Sequence, residues 1–333
     1  MPFNEKTKNV LSQILRVTVS LTVLVWLFKN KIDIPQTIHV LRDADFLYLY
    51  LGVFIFGGIN LVLLLRWMIL VNALDLGVPA KNVVIYFFVG LFFNLFLPTS
   101  TGGDIVKTLY MMRDTPHKAK VVASVVLDRL IGFASIVLVA FISFVFGYRL
   151  IDDPSLLVII LGMAGVCFMV FLVLFVENIY AFCCRIFGKL PKVKVMLMDL
   201  HYNIALFKDK KGAMAFALGM ALVGQVIFVV TCYLIARGLH QDIDLIYFLI
   251  FIPLLCVAAS LPSIGGLGVR EAGSVYLFGK IGISAGVAAS ISLITYLFMV
   301  IVGLVGGIVY VIALSPRRIQ CHQAITGHGS PKA

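Results

Sequence analysis

Charge is scarce in this sequence. Asp, Glu, Lys and Arg make up 13% of its 333 residues, where a soluble domain carries about a quarter. No polar stretch between the apolar runs is long enough to fold a separate soluble catalytic domain. Nucleotide motifs are missing as well. There is no P-loop, and "GGLGVRE" (265–271) departs from GxGxxG at its last position and follows a proline-ended apolar segment instead of a strand. There is no HExxH and no GxSxG. The six histidines, His39, His117, His201, His240, His322 and His328, all fall outside the expected spans, so none is placed for intramembrane acid–base or metal work. The six cysteines, Cys167, Cys183, Cys184, Cys232, Cys256 and Cys321, show no CxxC spacing. They read as packing residues, with no disulfide framework. No cofactor or metal is expected. The carboxylates Asp104, Asp128 and Glu271 leave one enzymatic alternative open, an intramembrane transferase or hydrolase acting on a lipid phosphate.

Apolar residues are abundant: 61% of the chain, with a mean hydropathy of +1.06. They are arranged in runs near the ~20 residues that span a bilayer. The expected architecture is an all-α polytopic membrane protein. Six spans are predicted, near 10–28, 46–71, 121–146, 154–176, 212–236 and 285–313. Two further apolar segments, 83–97 and 245–261, are too short to cross and stop at Pro98 and Pro262. They suit re-entrant hairpins. Lys and Arg support this topology. With the N-terminus in the cytoplasm, 17 fall in inside segments and 7 in outside ones, as the positive-inside rule requires. That bias holds only if each short segment returns to its side of entry, the first from the cytoplasm and the second from outside. Both termini are then cytoplasmic. The net charge of +11 sits in connections where anionic lipid headgroups attract it, so no nucleic-acid partner is expected. The N-terminus is polar and the first run lacks a small-residue cleavage site, so no cleaved leader is expected.

The breaks have a common grammar. In "NLFLPTSTGGDIVKTLYMMRD" (94–114), Pro98 ends a helix, Gly102 and Gly103 permit a reversal, and Asp104 is placed to cap a half-helix over 105–113. In "SLPSIGGLGVREAG" (260–273), Pro262 precedes Gly265, Gly266 and Gly268, then Arg270 and Glu271. Two Gly/Pro-interrupted segments entered from opposite faces are the pattern of inverted-repeat transporters. The chain then reads as one domain. A first half covers 1–176 with its break near 98–104, and a second covers 212–314 with its break near 262–270. Between them, 177–211 reads as a cytoplasmic interfacial helix, with Val193, Leu197, Leu200, Ile204 and Phe207 on one face. Residues 315–333 form a cytoplasmic tail.

Asp128 and Arg129 lie roughly 12–14 Å along their helix from Lys120 at 1.5 Å per residue. Charges at that depth face a cavity or a partner, and neighbours on a helix diverge. Asp104, Lys107, Arg270 and Glu271 are the candidate partners. One reading is an ion-pair network that locks helices; the other is a polar cavity for an anionic headgroup. A half-helix starting near Gly268 would aim free N–H groups at an anion, and Arg270 would add a planar fork suited to phosphate. Against this stands simple capping. Asn94 either lines the cavity or satisfies backbone freed by Pro98; Gln225 is a weaker case. Arg66, beside Trp67, reads as a snorkelling anchor, and Arg16 likewise.

The stretches "NLFLPTSTGGDIVKTLYMMR" (94–113), "VVLDRLIGF" (125–133) and "LPSIGGLGVREA" (261–272) together resemble the lysylphosphatidylglycerol synthase transmembrane region, a flippase-like membrane domain. Lys107 stands where that family more often carries Arg. The resemblance implies a lipid translocase in a prokaryotic plasma membrane, moving a phospholipid or polyprenyl-phosphate-linked headgroup past Asn94, Asp104, Lys107, Asp128, Arg129, Arg270 and Glu271. Relatives often carry an added aminoacyltransferase domain. Only residues 314–333 follow the last expected span, so synthase activity is not expected here. The partners implied are membrane lipids and, as a separate chain, a lipid-modifying synthase. An accessory role in envelope glycolipid assembly is the remaining alternative. Arg270→Ala is expected to abolish transport and leave the fold intact.

Overall fold

The computed structural model describes residues 41–97, 102–147, 154–186, 210–259 and 268–326, with positions 198, 201, 204 and 207 between. The expected first span at 10–28 lies outside these residues, as do Arg16, Pro98, Pro262, Gly265 and Gly266. The described residues form ten helices and no strand: α1 Phe46–Ala73, α2 Ala80–Asn94, α3 Gly102–Met111, α4 Lys118–Gly147, α5 Pro154–Phe175, α6 Glu177–Ile186, α7 Lys211–Gly238, α8 Leu245–Ala259, α9 Val269–Gly279 and α10 Ala285–Thr326.

Five of them are long and apolar enough to cross a membrane: α1, α4, α5 over Ser155–Phe175, α7, and α10 over Ala285–Ala313. α2 and α8 are apolar but only 15 residues each, about 22 Å at 1.5 Å per residue and short of the ~30 Å hydrocarbon core. Helix starts and stops follow local chemistry. The Asp45 side chain accepts a 2.9 Å hydrogen bond from the Leu47 N–H and caps α1. After α1 the chain turns through Asp75 (φ 49°) and Gly77 (φ 66°), and Pro79 leads into α2. α10 continues to Thr326, well past the apolar span, so most of the expected tail begins as helix. In the 177–211 segment the helix that is described is α6, at its start. Ile204 and Phe207, assigned to an amphipathic face, are fully buried.

The helices form two units with the same order, long–short–short–long: α1–α4 and α7–α10. α1 and α7 make the broadest contact and join the units. The short helices are exchanged: α2 packs on α10, and α8 packs on α4. Each unit is therefore completed by the other. One apolar core gathers Phe56, Phe248, Phe251 and Phe278; the second gathers Trp67, Leu70, Phe87 and Met111. α5 stands at the edge with Val158, Phe168 and Met169 exposed.

The α2–α10 crossing depends on Gly303, Gly306 and Gly307. A Cβ at Gly306 would collide with the Phe88 carbonyl and lie 3.3 Å from the Phe92 nitrogen. Both are helix backbone and cannot move aside, which is the small-residue logic of close membrane-helix packing. Gly306→Ala is expected to cost about 1–3 kcal/mol, read as a lower thermal midpoint in detergent. Gly162→Ala, at a site with nothing within 4 Å, should leave the midpoint unchanged or raise it slightly.

Candidate functional site

α3 begins at Gly102, earlier than the expected 105, and Asp104 does not cap it. Asn94 does so from the end of α2: its Oδ1 accepts the Gly103 N–H at 2.7 Å. Gly103 also lies against the Gly90 carbonyl, so a Cβ there would have no room. This close turn frees the Asp104 carboxylate for other partners. Lys107, one turn along α3, reaches its Oδ1 at 2.9 Å, and Arg129 Nε of α4 donates to its Oδ2.

Asp128 and Arg129 diverge, as adjacent helical residues must. Asp128 turns to Arg66 of α1, whose Nε donates to Oδ1 at 2.7 Å. Lys107 Nζ stands 4.0 Å from Asp128 Oδ2 and 4.5 Å above the Trp67 ring. Arg66 does not snorkel: it is 7% exposed, and Trp67 is wholly buried. The reason is Asp128, a buried carboxylate that would otherwise lack its closest cation. A face of α1 carries Phe56, Asn60, Leu63 and Arg66 to the same cavity. The α1 sequence alone carries no signal that points Arg66 at Asp128, since an arginine beside a tryptophan near a helix end also reads as an anchor. The terminal nitrogens of Arg66 lie along Gly132, where a Cβ would stand 3.5 Å from Nη1 and 3.7 Å from Nη2.

A second cluster surrounds the start of α9. Gly268 (φ 86°) precedes the helix, and its N–H donates to Glu271 Oε2 at 2.6 Å. Glu271 therefore already supplies the anion at this helix N-terminus, in place of the external anion the sequence suggested. Glu271 Oε1 accepts from Arg270 Nη2 at 3.2 Å and from Ser292 Oγ at 2.9 Å. Arg270 Nε donates to Ser292 Oγ at 2.8 Å, and Nη2 also donates to the Ser292 carbonyl at 3.1 Å. Among the described residues Nη1 meets only Met299 Sδ, at 3.5 Å, a soft acceptor. Ser292 of α10 was not legible in the sequence, since an isolated serine in a span carries no signal.

Both clusters meet one cavity of about 410 Å³ between the units. Asn94, Asp128, Arg129 and Arg270 stand on its wall with Arg66, Asn60 and Gln225. Asp104, Lys107 and Glu271 sit behind the wall, where Asp104 holds Arg129 and Glu271 holds Arg270 in front of them. Among the described residues four cations (Arg66, Lys107, Arg129, Arg270) face three carboxylates (Asp104, Asp128, Glu271), which leaves one positive charge in excess. Arg129 is the most accessible, its side chain 40% exposed. Among the described residues no group of three His, Cys, Asp or Glu converges on a metal position.

A family model described as "Lysylphosphatidylglycerol synthase TM region" matches residues 13–307. The chain is similar to the UPF0104 membrane protein PH1989 of Pyrococcus horikoshii, 25% identical over 329 residues, covering 90% of this chain and 96% of the relative. No solved structure matches.

Proposed function

The chain belongs to the lysylphosphatidylglycerol synthase transmembrane-region family, a multi-pass membrane protein, and from that premise we propose that it is a lipid translocase. The observation that carries this reading is a cavity shared by both units, with one positive charge in excess among the described residues. An ion network that only locks helices would use up its donors. Here the terminal nitrogens of Arg66 and Arg129 have no hydrogen-bond partner among the described residues, and both side chains stand on the cavity wall.

In this proposal α2–α3 and α8–α9 are re-entrant hairpins that enter from opposite faces, with both termini in the cytoplasm of a prokaryotic cell. The phosphate of a lipid headgroup exchanges its water for the terminal nitrogens of Arg66, Arg129 and Arg270, donors suited to a phosphate oxygen. Asp128, Asp104 and Glu271 keep Arg66, Arg129 and Arg270 aimed and compensated when no lipid is bound. The acyl or prenyl chains stay in the bilayer. No nucleotide motif drives the movement, so it runs downhill or is coupled to an ion.

The test is leaflet exchange of acyl-labelled phosphatidylglycerol in proteoliposomes. Native protein is expected to exceed protein-free vesicles. Arg129→Gln leaves Asp104 with Lys107, so the fold should persist. Its exchange should fall about 10- to 100-fold, the worth of one hydrogen bond to a charged group. A native rate equal to that of empty vesicles overturns the proposal. An altered lipid product by mass spectrometry would replace it with the transferase or hydrolase reading.

A further inference from the structure

Resting on the translocase reading, we infer that this cavity selects a monoanionic phosphodiester headgroup that carries hydroxyls, and rejects headgroups that carry an amine. The family's description names a lysyl lipid, yet among the described residues this wall has no carboxylate to spare for an ammonium. Asp104 has Lys107 at Oδ1 and Arg129 at Oδ2. Glu271 is 0% exposed and takes three donors besides. Asp128, the one carboxylate on the wall, has Arg66 at 2.7 Å and Lys107 at 4.0 Å. A phosphodiester brings one negative charge to a site with one positive charge in excess. An added ammonium would restore the excess and find no counter-ion.

The aromatic faces best suited to a cation are also taken. Lys107 sits over Trp67 and Arg270 over Tyr296. Among the described residues only Phe56, Phe133 and Phe228 remain on the wall, the weakest ring type for this contact.

The neutral polar groups point the same way. Asn60 Nδ2 donates to the Phe56 carbonyl at 2.8 Å, which leaves Oδ1 as an acceptor. Asn94 Oδ1 accepts from Gly103, which leaves Nδ2 as a donor. Gln225 Nε2 makes only a 4.0 Å contact to Cys256 Sγ, and its Oε1 has no hydrogen-bond partner among the described residues. All three side chains stand on the wall. A wall offering both donors and acceptors fits a hydroxyl, which is both; an ammonium only donates. The volume lies in the lower part of the roughly 300–1,000 Å³ range of small-molecule pockets, enough for a headgroup with the chains left outside.

The experiment compares probes with one labelled acyl chain in the same proteoliposomes: phosphatidylglycerol, phosphatidylinositol, phosphatidylmethanol, phosphatidylethanolamine and lysylphosphatidylglycerol. The glycerol and inositol probes separate a polyol from a ring headgroup. Both are expected to exchange at least about tenfold faster than the two amine-bearing probes, the effect of one charge interaction at roughly 10 Å in a medium of effective dielectric about 20. Phosphatidylmethanol has the charge without the hydroxyls. It should be slower than phosphatidylglycerol in native protein and equal to it in Gln225→Leu. Equal exchange of the lysyl and unmodified probes overturns the inference. Headgroup choice is read independently as the thermal shift given by short-chain versions of the same lipids in detergent. If no probe exchanges, the translocase reading falls alone. The shift still decides selectivity: stabilisation by the hydroxylated lipids only supports it, and equal or absent shifts overturn it.

Discussion

Arg270→Ala is expected to unfold the protein before it silences it. Glu271 beside it has no exposed surface, and without Arg270 its charge would keep only two neutral donors, Ser292 Oγ and the Gly268 N–H. Breaking a buried pair by removing one partner costs about 3–5 kcal/mol, because the other charge is left uncompensated. The thermal midpoint in detergent should drop sharply and the yield of monodisperse protein should fall with it. This replaces the expectation from sequence that the variant would lose transport and keep its fold. The control is Arg270→Met with Glu271→Gln. It removes both charges, and the Gln side chain can still accept from Gly268 N–H and hold the start of α9. That double variant should regain most of the native midpoint while its transport stays low. A single variant as stable as the native protein would show that Glu271 is not held by Arg270.

Asp128→Ala should have an effect of similar size for the opposite reason. It leaves Arg66, Lys107 and Arg129 around Asp104 alone, three cations to one carboxylate. The loss is again about 3–5 kcal/mol. Arg66→Gln in the Asp128→Asn background removes the opposing charge and should recover part of it. A double-mutant cycle over Arg66 and Asp128 should give a coupling of about 0.5–3 kcal/mol, as expected for residues in direct contact. Additive effects would mean that the 2.7 Å contact contributes nothing to stability.

The two residues in that pair show where sequence reading reaches its limit. Asp128 was legible because a carboxylate deep in an apolar run has few explanations. Arg66 was not, because an arginine beside a tryptophan near a helix end is also what a membrane anchor looks like. Only its neighbour, 62 residues away, separates the two. Asn94 shows the same limit at short range. Its part in the break was legible, but the Gly103 N–H it accepts was fixed by how tightly α2 meets α3. That contact displaced Asp104 from capping and gave it to Lys107 and Arg129.

The sequence by itself determined an all-helical membrane protein, the five long apolar helices among the described residues, the two short apolar segments and the charged residues at the breaks. Those features are local: a run of apolar side chains satisfies its own backbone hydrogen bonds within each helix, whatever that helix packs against. The tertiary structure decided which helices meet and which charges face the cavity. It set α2 on α10 and α8 on α4, brought Arg66 to Asp128 and Ser292 to Arg270, and placed Asp104, Lys107 and Glu271 behind the wall. Helices of similar hydropathy pack with many partners equally well on composition alone. The choice rests on close contacts such as Gly306 against Phe88, and on the need of each buried charge for a partner from another helix.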